Sequence, residues 1–391
     1  MGQPVTIQVN PCFFIMEQRG LSWRNFDFLL LGAVILASSF GVVMIRSAIA
    51  GNEVLAISTS RQIYFALLGV VLIFILASID YRYWLALYRP IHLVILGFLV
   101  TLTGFGQTAF GAQRWFQVGV LFLQPTEFAK IVALIVLARY FESVRDQPRD
   151  LRWVFGAIFR AMWIIGMILL QPNLSNVMVL SVILAVMLWV NGIQIKHVVT
   201  AISLGAVAVL SVIALSVLGV RIPFLQAYQQ ERIVNFVVPD PNDTYGNRYN
   251  VQQALIAVGA GGMYGEGYGY GTQTQLRFLK VRHTDFIFAA SSEEFGLVGS
   301  VSIILLLGVV VWRCIRAAQK ARDVAGAMLA IGVATLIFFQ GAVNIGMNLN
   351  LLPVSGLPLP FVSYGGSGLT ALMIAIGLVE SVVMRRKELE F

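Results

Sequence analysis

Long apolar stretches dominate the chain, and its polar residues are gathered between these stretches rather than alternating with them. A helix needs about twenty apolar residues to cross a bilayer. The pattern predicts about ten such helices, at residues 27–49, 61–79, 87–105, 125–143, 153–170, 174–191, 196–220, 286–312, 324–346 and 360–384. The first is longer than the apolar core of a signal peptide, so we expect it to be retained. The predicted fold is an all-α polytopic membrane protein.

One long polar interruption, residues 221–285, separates the seventh predicted helix from the eighth. Loops of this length are usually functional or disordered. Its apolar content is too high for a disordered linker, and we expect short helices that fold back onto the membrane surface. The remaining connections are short, so residues 1–391 are predicted to form a single integral-membrane domain.

The composition agrees with this fold, because 58% of residues are hydrophobic and 12% are charged, against about 25% charged in typical soluble domains. The net charge of +8 comes from basic residues gathered in alternate loops. The positive-inside rule assigns those loops, residues 1–26 and residues 385–391 to the cytoplasm, and the 221–285 loop to the extracytoplasmic side. Topology thereby accounts for the charge, and a nucleic-acid partner is not indicated.

The cysteines and histidines do not form a recognisable site. Cys12 and Cys314 both fall on the predicted cytoplasmic side, where no disulfide is expected. The three histidines, His92, His197 and His283, lie far apart in sequence, so a structural zinc site is not supported.

The segment from Gly259 to Gly271 is rich in glycine. It lacks the Gly-Lys-Ser/Thr ending of a nucleotide-binding loop and follows no predicted strand. A tight turn packed close to other backbone is favoured over direct contact with a ligand.

Two polar clusters surround the start of the fourth predicted helix. Arg114 and Trp115 precede it in a predicted loop, where alone they would be an interfacial anchor. Pro125 suits the first helical position, and Glu127 suits the first turn. Lys130 follows on roughly the same face and deeper in the apolar run. Glu127 could be only a helix cap, but an intramembrane ion pair more often marks a functional site.

Two further clusters interrupt apolar runs with proline. Residues 171–176, QPNLSN, read either as a simple break between helices or as part of a site. Residues 344–368 hold no charge and re-enter a helix through Ser363, Tyr364 and two glycines. We expect this segment to form a broken-helix wall around a cavity.

Three acids lie at the start of the eighth predicted helix, although the residues that follow, 297–312, carry no charge. Asp285 precedes the helix, and the 3.6-residue period would place Glu293 near the same face. Acids at this depth usually line a water-filled space. The alternative is that Glu293 and Glu294 pair with Arg or Lys from other helices and hold the bundle together.

Together and in this order, these clusters resemble the shape, elongation, division and sporulation proteins of bacteria, the family of RodA, FtsW and SpoVE. The resemblance covers nearly the whole chain. The residues that carry it are 111–115 (GAQRW), 124–130 (QPTEFAK), 171–172 (QP), 261–262 (GG) with the glycines that follow, 283–289 (HTDFIFA), 293–296 (EEFG), 344–346 (NIG) and 360–367 (PFVSYGGS).

The resemblance implies a ten-helix fold in the bacterial cytoplasmic membrane and peptidoglycan glycosyltransferase activity on lipid II at the outer face. The catalytic aspartate of the family falls on Asp285. The predicted substrate-binding residues are Arg114, Trp115, Glu127, Lys130, His283, Glu293, Ser363 and Tyr364. The implied partners are a class B penicillin-binding protein, whose transpeptidase crosslinks the new glycan, and other elongation or division proteins.

The chain departs from the family pattern at two places. It has Asn173 where the family often has aspartate, which puts in doubt a carboxylate there, and Lys280-Val281 where Pro-Glu is frequent. The strings at 271–273 and 276–279 look more like RodA than FtsW.

The implied chemistry agrees with the residue types. A general base must activate an acceptor hydroxyl, and Asp285 is the candidate. The leaving pyrophosphate needs cations, which Arg114 and Lys130 would supply. A divalent cation, Mg²⁺ or Mn²⁺, is compatible with the sequence but not required by it. Attack opposite the leaving group predicts inversion at the anomeric carbon.

Two other functions are compatible with ten helices and buried charge. A lipid II flippase would need a polar path between the two faces, whereas the clusters here gather at one predicted side. A noncatalytic scaffold of the elongation or division machinery would tolerate Asp285→Asn.

Overall fold

The computed structural model describes residues 23–51, 55–105, 107–109, 112–118, 121–148, 150–222, 225–238 and 247–386. Within these ranges the chain is mainly helical. A 3₁₀ turn at Trp23–Asn25 comes first. The helices are α1 (Phe28–Ala48), α2 (Ile57–Ser78), α3 (Tyr81–Ala86), α4 (Tyr88–Phe105), α5 (Pro125–Ser143), α6 (Leu151–Leu170), α7 (Leu174–Val190), α8 (Ile195–Val217), α9 (Ala227–Val237), α10 (Asn247–Ala260), α11 (Thr272–Gln275), α12 (Ile287–Gln319), α13 (Val324–Asn348) and α14 (Gly366–Met384).

Each of the ten predicted apolar runs coincides with one of these helices, and the polytopic membrane fold is confirmed. Seven described helices are long and apolar enough to cross a bilayer: α1, α2, α6, α8, α12, α13 and α14. The apolar segments of α4 and α7 are shorter, and α5 carries the charged pair Glu127 and Lys130 near its start. The number of ten membrane crossings stays a prediction.

A small antiparallel sheet precedes α5, where the sequence had predicted a loop. Its strands are β1 (Gln107–Ala109), β2 (Ala112–Val118) and β3 (Leu121–Leu123), in the order β1-β2-β3. Trp115 lies opposite Gln107, and Phe116 lies opposite Leu123. Aromatic and β-branched residues favour a pleated, partly buried surface. Periodicity did not indicate the sheet, because β1 and β3 have three residues each and β2, AQRWFQV, does not alternate apolar and polar residues.

The centre of the bundle is formed by α5, α13 and α14, whose side chains are mostly buried. Inside a membrane the hydrophobic effect does not drive helices together, and small residues at their interface let the two backbones pack closely. Gly377 of α14 is an example, because a Cβ built there would lie 3.1 Å from the Ile73 Cα of α2. By contrast, α8 packs mainly against α9 and leaves most of its apolar side chains exposed to its surroundings.

The glycine-rich segment packs against a break in α12. At Gly296 the helix adopts φ 64° and ψ −159°, a conformation that glycine reaches without a Cβ penalty. Backbone groups freed by this kink bond to the segment: Leu297 N donates to Gly262 O at 2.9 Å, and Glu266 N donates to Glu293 O at 2.9 Å. The prediction of a tight turn lying against other backbone is therefore confirmed.

A second group of buried charges lies at the opposite end of α12 from this kink. The Arg313 Nη2 atom is 2.5 Å from the Asp27 Oδ2 atom, and Asp27 N donates to Glu380 Oε2 at 3.0 Å. These residues join α12 to the start of α1 and the end of α14. Cys314, beside them, is a buried free thiol, whereas Cys12 lies outside the described residues.

Candidate active site

The backbone of Asp285 is held by two asparagines on the last turns of α13. Asn344 Nδ2 and Asn348 Nδ2 each donate to Asp285 O at 3.0 Å. Asn348 Oδ1 in turn accepts from Ala289 N at 3.1 Å, so it also satisfies a donor in the first turn of α12. Both asparagines are fully buried. Buried amides with several partners impose a defined geometry, and this geometry fixes where the Asp285 side chain begins.

The re-entrant segment between α13 and α14 forms hydrogen bonds with the two residues just before Asp285. Ser363 Oγ donates to Thr284 O at 2.6 Å, and Tyr364 N donates to His283 O at 3.0 Å. The rings of His283 and Tyr364 lie with centroids 5.8 Å apart. Thus Ser363 and Tyr364, which are far from His283 in sequence, come together with it beside Asp285.

The Asp285 carboxyl group lies just outside α12 and is partly buried. Burial raises its pKa above the usual range, while the positive charge of Arg232 and a hydrogen bond with Thr284 oppose that rise. A Cβ added at Gly356 would lie 3.8 Å from Asp285 Oδ2, so the re-entrant segment also passes along the carboxyl group. A carboxylate with a raised pKa, poised closer to neutral pH, is suited to accept a proton.

The predicted intramembrane ion pair is present on α5. Lys130 Nζ lies 2.9 Å from Glu127 Oε2, and both side chains are almost completely buried. Pro125 occupies the start of the helix, as predicted. Lys130 Nζ also donates to Gln340 Oε1 of α13 at 3.5 Å.

Gln340, Asn344 and Asn348 form what we call the amide row, one residue per turn along α13. Residues four apart lie on one face of a helix, and eight residues span about 12 Å. The row touches Lys130 at one end and the Asp285 backbone at the other. Gln340 and Asn344 also donate to Pro358 O and Leu357 O, so the row supports the re-entrant segment as well.

Arg114 and Trp115 lie in β2. Trp115 is partly buried. The Arg114 side chain lies outside the part of the chain that the structure describes, so its predicted approach to the substrate stays a prediction.

Glu293 and Glu294 differ from both expectations derived from the sequence. The helix begins at Ile287, so its 3.6-residue period does not extend back to Asp285. The Glu293 carboxylate instead accepts four hydrogen bonds from Thr272, Gln273 and Thr274. Glu294 Oε1 accepts from Ser47 Oγ and from Gln275 Nε2. Among the described side chains, neither glutamate forms an ion pair with Arg or Lys; both hold the chain around α11.

Three contributors to the site were not singled out from the sequence. They are Arg232 of α9, Gln62 of α2 and Gln340 of α13. Gln62 Nε2 donates to Ser363 O at 3.2 Å, and Gln62 Oε1 accepts from Gly365 N at 3.3 Å. A polar residue within an apolar run was the available signal for the two glutamines. Arg232 carried no such signal, because it lies in a polar loop.

The described residues include no group of three or more His, Cys, Asp or Glu side chains able to hold a metal ion.

Comparisons with known proteins agree on one family. The family model described as cell cycle protein, which covers FtsW, RodA and SpoVE, matches residues 27–388. Stage V sporulation protein E of Bacillus subtilis is 34% identical over 91% of this chain and 96% of its own length. Peptidoglycan glycosyltransferase MrdB of Escherichia coli is 33% identical over 84% of this chain and 86% of its own.

Solved structures agree with the sequence matches. A chain from a peptidoglycan synthase complex, in which polymerization and crosslinking are coordinated, superposes with a TM-score of 0.75 at 29% identity, covering 93% of this chain and 98% of that one. The rod shape determining protein RodA of Thermus thermophilus superposes with a TM-score of 0.68 at 28% identity, covering 94% and 99%.

Proposed function

The chain belongs to the FtsW/RodA/SpoVE family of cell cycle proteins, and on that premise we propose that it is a peptidoglycan glycosyltransferase that polymerises lipid II, with Asp285 as the general base. Curated relatives at 33–34% identity carry the name peptidoglycan glycosyltransferase, which supports the activity. The observation that carries the assignment of the base is the Asp285 carboxyl group, partly buried and held by its backbone where the re-entrant segment meets α13.

The reaction follows from these groups. Asp285 accepts the proton of an acceptor hydroxyl as the oxygen attacks the anomeric carbon of the donor, and a positioned base of this kind typically contributes 10²- to 10⁴-fold. The bond from that carbon to pyrophosphate breaks, and pyrophosphate departs as a stable anion. Lys130 and Arg114 are the proposed cations for it. Attack opposite the leaving group inverts the anomeric carbon; a retained linkage in the product would exclude this mechanism.

The proposed orientation places Asp285 and the 221–285 loop outside the bacterial cytoplasmic membrane and both termini inside. It is supported by the basic loops and by Arg313, Arg316, Lys320 and Arg386, which lie together at the end of the bundle away from Asp285. Of the eight predicted substrate-binding residues, the proposed set keeps Arg114, Trp115, Glu127, Lys130, His283, Ser363 and Tyr364 and leaves out Glu293. For Glu293, the hydrogen bonds favour a structural role.

The proposed partner is a class B penicillin-binding protein, acting with other elongation or division proteins. Support comes from the superposition on a synthase complex that coordinates polymerization with crosslinking. A RodA-like role is proposed from the strings at 271–273 and 276–279. The relatives do not separate the branches, since sporulation, division and MrdB proteins match at 32–34% identity.

Glycan formation from fluorescent lipid II tests the proposal. Purified wild-type protein, with and without the matched penicillin-binding protein, should form polymer, and Asp285→Ala should not while remaining folded and bound to its partner. Equal polymer from both proteins would remove Asp285 from the base role. If neither protein formed polymer where a control polymerase works, the proposal would fail in favour of a flippase or scaffold, and lipid II translocation would be measured next.

A further inference from the structure

A cavity of about 240 Å³ lies between α9, α10 and the chain that follows α13. It is smaller than the roughly 300–1,000 Å³ of sites for drug-sized ligands, so it fits one small moiety rather than a lipid-linked saccharide as a whole. Its lining residues are Arg232, Asn235, Phe236, Val251, Gln252, Leu255, Asn350, Leu352, Pro353 and Val354.

The lining combines one cation, three side-chain amides and one aromatic ring among aliphatic groups. Each amide offers both donors and an acceptor, which suits a neutral ligand rich in hydroxyl and amide groups. No acidic residue is among the lining residues of this cavity, which disfavours a cationic ligand. This chemistry matches an amide-bearing sugar.

Two stretches of chain connect the wall of the cavity to the surroundings of Asp285, which is not itself a lining residue. Asn350 lines the cavity and lies two residues after Asn348, whose side chain donates to Asp285 O. On the other side, Arg232 Nη1 donates to Val354 O at 3.3 Å, and Gly356 passes beside Asp285 Oδ2. Arg232 thus contributes both to the cavity wall and to the electrostatic surroundings of Asp285.

We infer that this cavity is the subsite for the acceptor saccharide, and that Arg232 is a positioning residue between it and Asp285. The inference rests on the proposed function and goes beyond it by assigning the acceptor to particular side chains. The reason is geometric: a base must lie next to the hydroxyl that it deprotonates, and Arg232 and the chain from Asn350 to Gly356 join the wall of this cavity to the surroundings of Asp285. Lys130, held by Gln340 at the far end of the amide row, is left for the pyrophosphate of the donor.

Adjacent glutamines on α10 provide a matched test. Gln252 lines the cavity, whereas Gln253 is not among its lining residues. Gln252→Leu should raise the KM for lipid II about 2- to 10-fold, the loss of one hydrogen bond, with kcat nearly retained. Gln253→Leu should match the wild type. Arg232→Lys should retain more activity than Arg232→Gln, because a cation remains.

Photo-crosslinking distinguishes an acceptor site from a donor site. A benzophenone amino acid replaces Gln252 or Gln253 in the Asp285→Asn background, and fluorescent lipid II is added either free or with its acceptor hydroxyl capped by an extra sugar. Capped lipid II can act only as donor. We expect free lipid II to label position 252 several-fold more than the capped form, and position 253 to be labelled little by either.

Each outcome has a distinct meaning. Equal labelling of position 252 by free and capped lipid II, or matching kinetics for the Gln252→Leu and Gln253→Leu proteins alongside an active wild type, overturns the acceptor subsite alone. A wild type without polymerase activity overturns the proposed function and this inference with it.

Discussion

Asp285 and Glu293 lie eight residues apart and are both acids at the start of α12, yet the structure treats them in opposite ways. Glu293 is completely buried, and its carboxylate accepts four hydrogen bonds from residues 272–274. Asp285 is held chiefly through its backbone oxygen, and its carboxyl group lies beside Arg232 and Gly356. A carboxylate occupied by the protein stabilises the fold, whereas one positioned by its backbone remains available for substrate.

The pair Glu127 and Lys130 is intermediate between these two cases. Its charges neutralise each other at 2.9 Å, yet Lys130 also reaches Gln340 of the amide row. Removing one member of a buried ion pair strongly destabilises a protein. The presence of such a pair is nevertheless weak evidence that the pair stabilises the fold. In the structure the pair is occupied by protein groups, as Glu293 is, and Lys130 remains the proposed cation for pyrophosphate.

The largest effect is expected for Asp285→Asn. The substitution removes the base but leaves the backbone oxygen that Asn344 and Asn348 hold, so the fold should survive. Polymerisation of lipid II should fall about 10²- to 10⁴-fold, with thermal unfolding unchanged. Full activity in this variant would contradict the comparison with Glu293, because Asp285 would then not be the carboxylate that acts on the substrate.

The next largest effect is expected for Lys130→Met, which leaves Glu127 buried without its partner. Breaking a buried pair by removing one member costs about 3–5 kcal/mol. The double variant Glu127→Gln/Lys130→Met removes both charges and should recover much of that stability but not the activity. Unfolding in detergent measures the first effect and glycan formation the second. Equal stability of the single and double variants would contradict a tight pair.

A moderate effect on stability is expected for Glu293→Gln. The amide nitrogen of the new glutamine would face two of the groups in residues 272–274 that donate hydrogen bonds to Glu293. An unsatisfied buried group costs about 1–3 kcal/mol. The unfolding temperature should fall, while activity per folded molecule stays close to that of wild type. A large loss of kcat in protein that is still folded would return Glu293 to the substrate site.

The smallest effect is a shift in pH dependence for Arg232→Gln. Among the described residues, Arg232 is the charged group that acts on the Asp285 pKa, and it opposes the rise caused by burial, as does the hydrogen bond with Thr284. The base works ionised, so kcat/KM falls as the pH drops through the Asp285 pKa. Losing the cation raises that pKa further, and the acidic limb should move to higher pH. Arg232→Lys should remain near the wild-type profile; identical profiles for all three proteins would falsify the electrostatic link.

Much of the fold was predictable from local pattern. Apolar runs of bilayer length marked the helices because hydrocarbon thickness sets their length and excludes charge within them. Pro125 and Glu127 marked the start of α5 because helix ends favour those residues. The three-stranded sheet around Trp115 was missed, because β2 does not alternate apolar and polar residues and the other two strands have only three residues each.

The candidate site was predictable in its residue types but only partly in its contacts. Asp285, Ser363, Tyr364, Glu127 and Lys130 were named from polar clusters beside apolar runs, whereas His283 was named only from the family resemblance. That the amide row joins Lys130 to Asp285 depends on α5, α12 and α13 packing side by side, which no local pattern encodes. Arg232 was missed for the same reason.

The sequence by itself determined the membrane fold, the family and the residues able to perform the chemistry, because these depend on local hydrophobicity, helix-end preferences and ordered motifs. Only the tertiary structure decided which acids are free to act. Glu293 and Asp285 look alike in sequence, and their difference arises from hydrogen-bond partners contributed by segments distant along the chain: residues 272–274 for one, and Asn344, Asn348 and Arg232 for the other. Hydrogen bonding and burial are set by what packs in space, and packing is a property of the whole chain.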